Sequence, residues 1–169
     1  MKKILFLFMF LPLLASAQTP SITGCLGLTF GMSQNEAIHQ LASKIDTTGI
    51  KLFDIKTSVS ASGVSNFYFA DKIFNNLFLL FYDGKLYQIM LVKQFTDESK
   101  MESVFSDLKS SYKIKYNKPD FENDSAIAWK DIYNNLIMIS YDTDRKRLLI
   151  VYVDDEIYKQ VSLEKEKDL

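Results

Sequence analysis

Cysteine and histidine are nearly absent: the 169 residues hold one of each, Cys25 and His39. A lone cysteine has no intramolecular disulfide partner, so stability is expected to come from an apolar core. The pair also falls short of the ligand set that a structural zinc site takes. Glycine and proline are sparse, at six and three, which excludes collagen-like and low-complexity chain. No glycine-rich phosphate loop is present; Gly31 and Gly84 read as a turn before a helix and a hairpin turn. Neither sign of charge dominates, with 20 basic against 21 acidic residues. A nucleic-acid binder needs a concentrated basic surface, so that class is set aside.

Long apolar runs are missing as well, and the longest charge-free one lies at the N-terminus. Lys2 and Lys3 precede an apolar stretch from Ile4 to Leu14, and Ala15-Ser16-Ala17 supplies the small-x-small pattern that signal peptidase accepts. Eleven apolar residues interrupted by Pro12 fall short of the ~20 that span a bilayer. Residues 1–17 are therefore expected to be a signal peptide, with cleavage before Gln18, export to the periplasm or beyond, and no transmembrane span. Without Lys2 and Lys3 the count becomes 18 basic against 21 acidic, a formal net of −3. Ile22-Thr23-Gly24-Cys25 matches a lipobox, so a lipid anchor at Cys25 is the alternative. Gln18 to Ser21 separate it from the apolar run, which favours cleavage after Ala17.

The remaining chain echoes itself. Ile73-Phe74-Asn75-Asn76-Leu77 through Phe81-Tyr82-Asp83 returns as Ile132-Tyr133-Asn134-Asn135-Leu136 through Ser140-Tyr141-Asp142, offset by 59 residues. Each copy leads into a turn and another apolar run, Leu86 to Val92 and Leu148 to Val153, and each follows a helical pattern. Ser33 with Glu36 three residues on is a capping box, opening a helix whose apolar face is Ala37, Ile38, Leu41 and Ile45. Met101, Val104, Phe105, Leu108 and Tyr112 mark one face of a second helix. The polar stretches Thr57 to Ser65 and Asn117 to Ser125 read as loops or edge hairpins.

These elements predict an α+β fold. Two tandem α-β-β-β units, residues 18–94 and 95–155, form antiparallel sheet with the helices packed on one face. Residues 156–169 make a charged tail or short helix. Leu77 to Tyr82 and Leu148 to Val153 are apolar at both parities, so both faces of the sheet are greasy. One helical layer covers one face only. The second is covered by loops, packed on another sheet or molecule, or left open for a partner. Of the mature chain's 20 aromatics, Tyr82, Tyr87, Tyr141 and Tyr152 are the candidate partner-binding residues, with core packing as the alternative.

Leu28-Thr29-Phe30-Gly31-Met32-Ser33-Gln34-Asn35-Glu36-Ala37 resembles the helix start of small exported α-β-β-β proteins of Gram-negative bacteria, including BamE-type outer-membrane assembly lipoproteins. Phe81-Tyr82-Asp83-Gly84-Lys85-Leu86-Tyr87 resembles the hairpin those proteins place later in the unit. A tandem pair is similar in plan to the β-lactamase inhibitor proteins, which implies a sheet face presented to another protein. The chain departs from the assembly lipoproteins in the placement of its lipobox.

Signs of enzyme chemistry are few. His39 falls within the first helix, and no Ser or Cys sits in a recognisable nucleophile context. Asp142-Thr143-Asp144 starts like a calcium loop but has Arg147 and Val153 where the loop needs glycine and glutamate, so it reads as a hairpin turn. Neither a metal nor a cofactor is expected. A non-catalytic protein- or peptide-binding module at the cell envelope is the leading reading. The alternative is a hydrolase using Asp71, Asp83, Asp131 and Asp142 as convergent acids, although aspartate is also favoured at turns for its bonds to nearby backbone.

Overall fold

A computed structural model describes residues 20–43, 51–55 and 59–167, with side chains of the first two strands described only from Asn66 onward. Residues 1–17, expected to be a signal peptide, and Ile45 lie outside the described residues. Helix α1 (Gln34–Ala42) starts where the capping box places it: the Ser33 N–H donates to Glu36 Oε2 at 2.8 Å and the Glu36 N–H to Ser33 Oγ at 3.3 Å. Two orphan backbone donors are thereby satisfied, and Ala37 and Leu41 turn inward. Four strands follow, β1 (Lys51–Ile55), β2 (Val59–Phe69), β3 (Lys72–Tyr82) and β4 (Lys85–Gln94). Helix α2 (Glu98–Tyr116) is capped by Asp97, whose side chain accepts the Ser99 N–H, and ends at Asn117 with a left-handed φ of 62°. Then come β5 (Phe121–Glu122), β6 (Ala126–Lys130), β7 (Leu136–Asp142), β8 (Arg147–Val153) and α3 (Asp155–Lys167).

The fold is α+β, with one eight-stranded sheet in the order β1-β2-β3-β4-β8-β7-β6-β5. Every pairing is antiparallel, β4 with β8 included. Four strands follow each of the first two helices where three were expected. The polar stretches became edge hairpins: β1 pairs with β2 and β5 with β6.

Register assigns side chains to faces. On one face Leu77, Leu79, Ile89, Leu91, Ile150, Ile139 and Trp129 are at most 1% exposed, and they share a core with Ala37 and Leu41 of α1 and Met101, Phe105, Leu108, Tyr112 and Tyr116 of α2. Tyr87 is the extra residue of a bulge, since Leu80 pairs with Gln88 and Phe81 with Leu86. The bulge keeps Leu86 on the core face although it stands three residues from Ile89.

Helices α1 and α2 share the core face, as expected of the two units, and α3 does not join them there. Tyr82, on the opposite face from Phe81, donates its hydroxyl to Glu164 of α3, and the buried Val161 of α3 stands outside the core that α1 and α2 cover. Helix α3, expected as a tail or short helix, therefore packs on β4 from the second face. The 59-residue echo is also out of phase with the sheet. Leu77 points into the core, whereas Leu136 points away from it and its neighbour Ile137 points in. An odd slip in a period-two element exchanges its faces.

Candidate functional site

The four candidate tyrosines do not meet on one surface. Tyr152 is 2% exposed on the core face, where its hydroxyl shares a short hydrogen bond with that of Tyr112. Tyr141 lies half-buried on the same face, its ring edge-on to Phe105 at 5.0 Å between centroids. Tyr87 is 2% exposed at the bulge. Tyr82 alone is half-exposed on the second face, bonded to Glu164. Tyr152 and Tyr87 thus contribute to packing, and an aromatic docking face built from all four is not what the fold assembles.

The four aspartates are likewise kept apart. Asp83 turns β3 into β4 beside Gly84, and both adopt left-handed φ, 47° and 71°, as a tight hairpin demands. Asp71 turns β2 into β3 with φ 58°. Asp142 accepts the Arg145 N–H and pairs with Arg147 at 3.3 Å. Because Gln94 pairs with Arg147 and Arg147 with Asp142, Asp142 stands at the far end of the sheet from Asp83, ~30 Å away at the rise of a ten-residue strand. Asp131 is the one buried polar residue in the described core, 6% exposed. Its two oxygens accept the N–H groups of Ile22, Tyr133 and Asn135 at 2.8–2.9 Å and the Asn135 amide at 3.4 Å. That carboxylate is committed to holding the β6–β7 turn and the N-terminal segment. His39 is exposed on α1.

The surface the fold does assemble is the second face of the sheet. Phe78, Met90, Val151, Met138 and Ala128 pair one to the next across β3, β4, β8, β7 and β6 in a single unbroken row. The row on one side reads Asn76, Val92, Leu149, Ser140 and Ala126, and on the other Leu80, Gln88, Val153, Leu136 and Lys130. Fifteen positions thus carry one charge, at the edge of the last row. Val92, Val151, Val153 and Ala128 are 6–8% exposed and the larger Phe78, Leu80, Met90, Leu136, Met138 and Leu149 are half-buried, in contrast to the sealed core face. Alternation in the sequence marked both faces as apolar. What it could not supply was the register that aligns those residues into rows, because the aligning strands are distant in sequence.

Residues 24–164 match the family model described as the TP0088 domain. The chain belongs to the TP0088 domain family. No curated protein and no solved structure matches it. The TP0088 match takes in both main helices, all eight strands and α3 as far as Glu164, the partner of Tyr82. Among the described residues of this TP0088 domain, no helix is long and apolar enough to cross a membrane.

The core chemistry of the TP0088 domain gives an alkaline limit. Burial pushes the Tyr112 and Tyr152 phenols above their ordinary value of 10.0, the neighbouring phenol and the Cys25 thiol adding to the shift of Tyr152. A phenol with a raised folded pKa contributes stability that is full below its unfolded value and is lost as pH climbs toward the folded one. Stability is expected to fall above about pH 10, with tyrosinate absorbance and loss of near-ultraviolet circular dichroism rising together. Ionisation of all the tyrosines with the fold intact would contradict this.

Proposed function

We propose that this TP0088 domain is an exported, non-catalytic module that binds a protein or peptide through the second face of its sheet. The observation that carries the reading is the charge-free row Phe78–Met90–Val151–Met138–Ala128, flanked by further apolar residues on the face that α1 and α2 leave and that α3 meets at β4. Contiguous apolar surface of this kind marks interaction sites when a folded chain retains it. We further read the sheet as two α-β units joined at β4 and β8, each helix followed by a four-strand meander. The resemblance to exported inhibitor modules, which present a sheet to a protein, points the same way. Export rests on the leader-like residues 1–17.

The test is photocrosslinking in the periplasm from position 138 or 90, with position 100 on the exposed side of α2 as control. A discrete adduct with another protein from 138 and 90 and none from 100 is expected. Met138→Ser should then weaken that complex about tenfold or more, a loss of about 1.4 kcal/mol or more. Because Met138 is half-buried, its folding stability should change by only about 1 kcal/mol. Equal, diffuse labelling from all three positions would refute docking at this face.

A further inference from the structure

The lipobox-like residues Ile22-Thr23-Gly24-Cys25 have structural work that accounts for each of them. Ile22 is 1% exposed in the main core, and its N–H donates to Asp131 Oδ2 at 2.8 Å, a buried bond spanning 109 residues. The Thr23 carbonyl accepts the Phe30 N–H at 2.9 Å. Gly24 has φ 141°, and a Cβ there would stand 2.1 Å from the Leu28 carbonyl oxygen, so no other residue fits. The Cys25 carbonyl accepts the Leu28 N–H at 2.8 Å, and its half-buried side chain packs against the core.

A cut before Cys25 would remove Ile22 from the core and leave Asp131 short of one of its buried donors. Acylation of the sulfur would in addition place a lipid chain on a side chain that is half-buried against the core. The glycine and cysteine that imitate a lipobox are explained by a tight turn and by packing.

Resting on the export reading above, we infer that the chain is processed N-terminal to Ile22 and that Cys25 remains a half-buried, unacylated thiol of the mature protein. The processing step is hydrolysis of one peptide bond, with Ala17–Gln18 the expected site: water supplies the hydroxyl to the Ala17 carbonyl and a proton to the Gln18 nitrogen. The N-terminal segment is then a strap held to the β6–β7 turn by the bond from Ile22 to Asp131.

The full-length chain, leader included, is produced in an exporting Gram-negative host, and the intact mass and N-terminus of the wild type and of Cys25→Ser are measured. Both are expected to begin upstream of Ile22, at the same level and without added acyl mass. The unfolded wild type should yield one titratable thiol, which an acylated sulfur would not. A wild-type chain beginning at Cys25 with acyl mass, or accumulation of uncut Cys25→Ser precursor, would overturn the inference and leave export standing. An uncut wild-type chain retained in the cytoplasm would overturn both.

Discussion

Phe105→Ala is expected to destabilise the protein by about 3–5 kcal/mol, the cost of emptying a fully packed aromatic site. Phe105 is 5% exposed on the inner face of α2 and meets Tyr141 of β7 edge-on. Its removal takes away transfer free energy and leaves a cavity between helix and sheet that neither backbone can close. For a domain of this length the melting temperature should fall by roughly 6–20 °C, at about 2–4 °C per kcal/mol. Chemical denaturation with an unchanged slope measures the same loss. A loss below about 1 kcal/mol would mean that α2 does not bury this face.

Asp131→Ala is the second large effect, expected at about 2–4 kcal/mol because backbone donors lose their acceptor in a place water reaches poorly. Three N–H groups depend on the carboxylate, and that of Ile22 is buried. Asparagine keeps one acceptor oxygen for the Tyr133 and Asn135 turn but offers an NH2 group where Ile22 needs an acceptor, so Asp131→Asn should recover part of the loss. Proteolysis or hydrogen exchange localises the effect: residues 20–30 should become labile in both variants. Unchanged protection there would show that the strap is held without Asp131.

Much of the local architecture was legible in the chain. The capping box of Ser33 and Glu36 set the start of α1, and the spacing of Met101, Phe105, Leu108 and Tyr112 gave the buried face of α2. Asp83-Gly84 gave the tight turn between β3 and β4. All of these depend on residues within a turn or two of one another, where backbone hydrogen bonding and steric limits act directly. The echo between Ile73–Asp83 and Ile132–Asp142 looked equally local, yet it failed as a guide to space. Its odd offset ignores the two-residue period of a strand, and no local signal announced the bulge at Tyr87 that resets the faces.

The candidate site was legible in kind but not in membership. Apolar residues at both parities of β3 and β8 implied a second greasy face, and tyrosines were the natural choice because they suit interfaces. Tertiary structure sent Tyr152 to meet Tyr112, Tyr141 to meet Phe105 and Tyr87 into a bulge, and it gave the second face to Phe78, Met90 and Met138 instead. It also gave Asp131 a buried structural task that no spacing foretold, since its partner Ile22 stands 109 residues away.

By itself the sequence determined the class of elements, where the first helix begins, which turns are tight and that the sheet has two apolar faces, because those follow from short-range sterics and periodicity. Only the tertiary structure decided the pairing of β4 with β8, the face each side chain occupies, the crossing of α3 to the second face and the anchoring of the N-terminal strap. Those outcomes are set by register and packing between distant segments, where shifting a strand by one residue exchanges core for surface.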